Sequence, residues 1–137
     1  MLPALAGAAE PDSCRTIRFS DVGWTDITAT TALTSRLLQA LGYRTVTEIL
    51  SIPVTYASIK NRQIDVYLGD WQPSMQEDRM PFLVEGSVQI VRANLEGAKY
   101  TLAVPSYVAA AGVKNFSDLQ AHADRFHKKI FGIEPGN

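Results

Sequence analysis

Apolar residues along this chain recur at two different periods, and the switches between them mark out alternating strands and helices. Residues 15–19 alternate, with Ile17 and Phe19 on one face, and predict a strand. From about Thr25 the period lengthens: Leu33, Leu37, Leu38 and Leu41 fall at helical spacing, and Gly42 stands where a helix terminator is expected. A second alternating stretch covers 44–50, less regular because Val46 and Ile49 flank polar residues imperfectly. Pro53 then opens a short helix through Lys60, since proline in a first turn removes no donor the helix needs. Residues 64–68 form the next strand. A β-α-β-α-β order of this kind predicts a parallel sheet with right-handed crossovers.

Beyond that unit the pattern is looser. Pro73 and Ser74 start a polar amphipathic helix to about Met80, which Pro81 stops or kinks. Residues 88–91 and 97–105 read as strands, the second ending at Pro105. Ser117 followed by Gln120 has capping-box spacing and predicts a helix to about Phe126, and a last strand covers 129–133. After it stands Glu134-Pro135-Gly136-Asn137, where a Gly-Asn pair would open another helix, so a second lobe is expected to have begun and not finished.

Composition narrows the classes. The chain has 137 residues, 46% hydrophobic and 20% charged. This is the make-up of a globular protein with its own core. A net charge of −1 and a pI near 6.1 supply no basic field for nucleic acid. No run of about 18 apolar residues is present, so no membrane span is expected. Residues 1–13 are rich in small and apolar side chains, with Ala4-Leu5-Ala6 and Ala6-Gly7-Ala8 triplets like those at a signal-peptide cleavage site, which points to secretion into an oxidising compartment. The single Cys14 in such a compartment reads as half of a disulfide.

Candidate chemistry concentrates in two short stretches. Phe19-Ser20-Asp21-Val22-Gly23-Trp24-Thr25-Asp26 is a strand that breaks at glycine and presents an indole and a carboxylate at the mouth of a helix. Taken alone, Trp24 would be a packed core aromatic. The arrangement recurs, however, in Ile64-Asp65-Val66-Tyr67-Leu68-Gly69-Asp70-Trp71, and open α/β sheets bind ligands beyond the carboxyl ends of their strands. Elsewhere the residues do not converge. His122 and His127 would fall on different faces of one helix, Cys14 has no histidine that the sequence places beside it, and no phosphate loop, nucleophile elbow or zinc motif occurs. Asp26 has a plain alternative as a carboxylate favoured by the helix dipole. No cofactor or metal is expected.

Four segments in this order, Gly23-Trp24-Thr25-Asp26, Leu68-Gly69-Asp70-Trp71, Ala98-Lys99-Tyr100-Thr101-Leu102-Ala103 and Gly132-Ile133-Glu134-Pro135-Gly136-Asn137, resemble the substrate-binding proteins of ABC importers for quaternary amines, the choline-binding members above all. The resemblance runs from about Cys14 to Asn137 and rests on the motifs jointly. It implies an α/β fold of the periplasmic binding protein-like (type II) class, with a first lobe over 14–104 and the start of a second over 105–137. It implies a non-enzymatic receptor that binds choline, glycine betaine or another quaternary amine and delivers it to the membrane subunits of an importer. Its ligand box maps onto Trp24, Trp71 and Tyr100 as aromatic walls, with Asp26 and Asn137 as polar contacts, and a further aromatic from the second lobe lies outside this chain.

Such a box suits the cation physically. A trimethylammonium group has no N–H to donate, whereas the negative faces of indole and phenol rings attract it and bury its methyls, each face contributing about 0.5–2 kcal/mol when desolvated. Two other classes stay open on the residues alone: an enzyme acting on a quaternary amine, with its machinery outside these residues, and an α/β module in which both tryptophans are core.

Overall fold

A computed structural model describes residues 11–99 and 101–132. They fall into two compact units that part between Arg92 and Ala93. The first unit is an α/β layer. A 3-10 turn at Asp12–Arg15 leads into β1 (Thr16–Asp21), followed by α1 (Thr25–Ala40), β2 (Arg44–Ile49), α2 (Ile52–Lys60), β3 (Val66–Tyr67) and α3 (Gln76–Val84). The strands are parallel, in the order β2-β1-β3. The crossover through α1 therefore runs to one side of β1 and the crossover through α2 runs back past it. Two right-handed crossovers in opposite directions put their helices on opposite faces and make the β1/β3 boundary the switch point of the sheet.

Local chemistry explains where the elements stop. Gly42 sits at φ +93°, and after it the N–H of Tyr43 reaches back to the carbonyl of Leu38 at 3.0 Å. This closes α1 in a Schellman turn that a side chain at Gly42 would strain. Ser51 is extended and Pro53 lies in the first turn of α2, as expected. The core forms around β1, where Phe19 is 1% exposed, and continues as a cluster of Val22, Ile27, Ile52, Tyr56 and Met75. Ser20 turns toward α2 and shares a 2.6 Å hydrogen bond with Thr55, whose own hydroxyl donates to the Ser51 carbonyl at 3.0 Å, so both buried hydroxyls are satisfied. At the start of β3, Asp65 takes the side chain of Arg18 at 2.7 and 2.9 Å and its backbone N–H at 2.8 Å, pinning β3 to β1.

The structure corrects several expectations. Three of the four leucines that mark the period of α1 do not face the core: Leu33, Leu37 and Leu41 are 60–74% exposed and only Leu38 is half-buried, while Ile27, Thr31 and Ser35 point inward. With Ile27 held in the cluster, the helical period carries Thr31 and Ser35 along the same line and swings Leu33, Leu37 and Leu41 away. Pro81 does not stop the third helix, which runs through it to Val84, because Phe82 stacks on Tyr56 with ring centroids 5.7 Å apart and anchors the far side. No strand forms over 88–91, 97–99, 101–105 or 129–132. The β-rich composition is there, but among the described residues no neighbouring strand takes up its backbone groups. In the second unit, α4 (Ser106–Ala110) is followed by α5 (Phe116–Ala121) and a 3-10 turn at Ala123–Phe126. The cap of α5 is made by Asp118, whose carboxylate accepts from the backbone N–H groups of Asn115 and Lys114 at 2.8 and 2.9 Å, in place of Ser117 and Gln120. His122 ends α5 and His127 sits beyond the 3-10 turn at φ +53°, so the two do not share a helix.

Candidate ligand-binding site

Both indoles grow from the switch point of the sheet. Parallel pairing sets Ser20 opposite Tyr67, and Trp24 and Trp71 each stand four residues beyond that pair on their own segments. The two loops therefore leave the same edge side by side. In the first, Gly23 adopts φ +81°, and its N–H donates to the Asp21 carboxylate at 2.8 Å. Glycine takes up that conformation without strain. The turn delivers Trp24 to the N-cap position of α1, where its carbonyl accepts from Thr28 at 2.8 Å. The indole is half-buried, and its Nε1 is enclosed with no acceptor among the described residues.

The second loop is held by tighter contacts. A Cβ on Gly69 would lie 2.8 Å from the ring of Tyr67. This position must therefore be glycine for the chain to fold back over that ring. The Tyr67 hydroxyl donates to the Gly69 carbonyl at 3.0 Å, and the N–H of Trp71 points at the sulfur of Met75 at 3.4 Å. Trp24 and Trp71 are both half-buried and pack against the same core cluster, together with Tyr67 and Phe82. Tyr56 stands edge-on to Tyr67, with ring centroids 6.0 Å apart. This is a favoured aromatic geometry, and it completes the floor beneath the loops.

The electrostatics at this edge are acidic. The Tyr67 hydroxyl is pushed well above the usual phenol range, by burial first and then by the charges of Asp70, Asp21, Asp26 and Asp78. Tyr56 is raised likewise, by burial and then by Asp70, to which it donates at 2.9 Å. Asp26 lies exposed in the first turn of α1, and among the described residues nothing donates to its carboxylate. Asp70 differs: its oxygens accept from Tyr56, from Arg79 at 3.1 and 3.2 Å and from Gln72 at 3.2 Å. An open depression of about 600 Å³ lined by Thr16, Gln39, Tyr43 and Arg44 lies at the amino ends of β1 and β2, away from both indoles.

Of the five residues singled out from the sequence, Trp24, Asp26 and Trp71 come together at one edge, while Tyr100 and Asn137 lie outside the described residues. Tyr56, Tyr67, Met75 and Arg79, which sequence reasoning does not attach to a site, form the layer under it. The one signal that could have found them is the acid of the Gly69-Asp70-Trp71 motif, a charge in need of a partner.

The family model of OpuAC, the substrate binding domain of ABC-type glycine betaine transport systems, matches residues 15–137. The chain belongs to this family. Among relatives of this OpuAC chain, the uncharacterized protein ORF1 of Chromohalobacter salexigens is 53% identical over 136 residues, which make up 99% of this chain and 86% of that one. Two solved structures are similar as well. An ABC-transporter choline binding protein in complex with choline is 58% identical, with a TM-score of 0.86 over 93% of this chain. An unliganded semi-closed form of an ABC-transporter choline binding protein is 57% identical, with a TM-score of 0.80 over 92%. The chain spans 44% of the length of each of these solved proteins. The parallel sheet and its helices thus belong to the periplasmic binding protein-like α/β fold expected from the sequence. Among the described residues no helix is long and apolar enough to cross a membrane.

Proposed function

We propose that this OpuAC chain is part of a periplasmic solute receptor that binds choline in an aromatic box and delivers it to the membrane subunits of an ABC importer, without chemistry of its own. In this reading Trp24, Trp71 and Tyr100 are the walls, Asp26 accepts a hydrogen bond from the ligand hydroxyl and attracts the cation, and Asn137 contributes an amide from the other lobe. Residues 14–104 belong to the first lobe and 105–137 open the second; the two described units part a little earlier, at Arg92. The observation that carries the proposal is the pair of half-buried indoles on loops that leave adjacent strands at the switch point of the sheet, with the open carboxylate of Asp26 two residues beyond one of them. Aromatic faces backed by carboxylates favour a cation that cannot donate hydrogen bonds. The 58% identity to a choline binding protein supports the same ligand class.

Glycine betaine is the second reading, favoured by the description of the family. Its carboxylate would gain from an arginine, and none lies in the four motif segments. Calorimetric titration of the complete receptor with choline and with glycine betaine separates the two. Choline should bind more tightly. Equal affinities or a betaine preference would reject the choline assignment, and no binding of either would reject the receptor reading.

A further inference from the structure

Asp70 precedes one of the two indoles and carries a negative charge, so its simplest use in a cation site would be as a counter-ion. Its surroundings argue otherwise. Oδ1 accepts from the Tyr56 hydroxyl at 2.9 Å and from Arg79 Nη1 at 3.2 Å, and Oδ2 accepts from the same Nη1 at 3.1 Å and from Gln72 Nε2 at 3.2 Å. Its lone pairs are engaged. Its charge is matched by a guanidinium whose side chain is only 8% exposed. Burying such a pair costs dehydration on both sides, and ion pairs of this kind are better at fixing one geometry than at adding stability. What this one fixes is the backbone around Trp71. The Trp71 carbonyl accepts from Met75 at 2.9 Å and the Met75 carbonyl from Arg79 at 3.2 Å, so the arginine sits two turns along the segment that leaves Trp71. The contact between Asp70 and Arg79 closes that segment into a ring with Trp71 inside it.

We propose that Asp70 is a positioning residue of the ligand site: held by Arg79, Tyr56 and Gln72, it sets the Trp71 indole as a wall and leaves the pairing with the cation to Asp26. The proposal rests on the reading of Trp71 as a wall. The two acids divide the work by exposure. Asp26 is open and receives no donor among the described residues, whereas Asp70 is half-buried and its oxygens are taken by Tyr56, Arg79 and Gln72.

The test uses the complete receptor labelled with 5-fluorotryptophan, with the Trp71 fluorine resonance assigned by Trp71→Phe, and a parallel calorimetric titration with choline chloride. Asp70→Asn should displace or broaden the Trp71 resonance of the ligand-free protein, leave that of Trp24 in place, and weaken choline by roughly ten-fold, the weight of one lost aromatic wall. Arg79→Lys keeps the charge and loses the Nη1 that reaches both oxygens of Asp70, and should displace the same resonance. Weaker choline binding with the Trp71 resonance unmoved would overturn the proposal, because Asp70 would then act on the cation directly; unchanged affinity in Asp70→Asn would overturn it too. Should Asp70→Asn not fold, Tyr56→Phe removes one donor with the ring retained, and an unmoved Trp71 resonance there counts against the proposal equally. If the unaltered protein binds no quaternary amine, the receptor reading fails, while the fluorine spectra still decide whether Asp70 sets Trp71.

Discussion

Replacing Tyr56 by phenylalanine removes a single oxygen from a residue that is 2% exposed. The ring contacts with Tyr67 and Phe82 stay, so packing is unchanged and the loss isolates the hydrogen bond to Asp70. A hydrogen bond to a charged partner contributes about 1.5–3 kcal/mol. Asp70 keeps Arg79 and Gln72, so no bare charge is left behind and the lower end, about 1.5 kcal/mol, is expected at pH 8. In urea the midpoint should fall with an unchanged slope. The pH dependence sharpens the test. Burial and Asp70 raise the Tyr56 hydroxyl above its ordinary value, so the folded protein keeps this proton where an unfolded tyrosine, at about pH 10, gives it up. Its contribution is complete below that pH and declines above it, by up to about 1.4 kcal/mol per pH unit. Phenylalanine has no proton to lose, and Tyr67 titrates in both proteins, so the gap between them should shrink from about 1.5 kcal/mol at pH 8 to near zero by about pH 11. A gap that stays constant over this range, or a cost at pH 8 below about 0.5 kcal/mol, would refute the assignment of the Tyr56 hydroxyl to Asp70.

Trp24→Ala and Trp71→Ala should each weaken choline by about 1–2 kcal/mol in calorimetry, and Trp→Phe by less because a ring face remains; loss of folding in Trp71→Ala would make that residue core instead. Asp26→Asn should weaken choline more than glycine betaine, and equal losses would deny its carboxylate a part in discrimination. The side-chain hydrogen bond from Arg18 holds Asp65 below the usual carboxylate range, so its contribution is present above about pH 4 and is lost as pH falls through the lowered value. Asp65→Asn should flatten the acid limb of the urea midpoint there. Ile27→Ala should cost about 2–4 kcal/mol of stability, whereas Leu37→Ala should cost under about 1 kcal/mol, a contrast opposite to the reading of α1 by its leucines.

The first unit was legible where the signals are local. Gly23, Gly42 and Pro53 punctuate the chain at the turn, the helix end and the helix start that they occupy, because each acts through its own backbone. The indole loops were legible because the Gly, acid and Trp arrangement occurs twice. What escaped depends on partners distant in sequence. Periodicity tells which residues of α1 share a face but not which face the sheet will take, and Ile27 decided that. Pro81 is a breaker by itself, yet the helix around it is held by Arg79 on Asp70 and by Phe82 on Tyr56, contacts that only the folded chain brings together. The strand expectations beyond residue 88 failed for the converse reason, since β-rich composition without a neighbour yields no ladder.

The pairing of Ser20 with Tyr67 has a consequence for how such a site can change over time. Because both indole loops are rooted at one level on adjacent strands, the gap between their roots is a lattice constant of the sheet, about 4.8 Å, and belongs to neither loop. Mutation cannot widen it without breaking the ladder. What can vary is reach, since one residue added to a loop moves its tip by up to about 3.5 Å. The aperture between the two indoles would then be graded like a vernier, by sliding one scale along another whose divisions are fixed, and the space between them would drift by insertion or deletion beyond Asp21 or Tyr67 while the core cluster beneath stayed as it is.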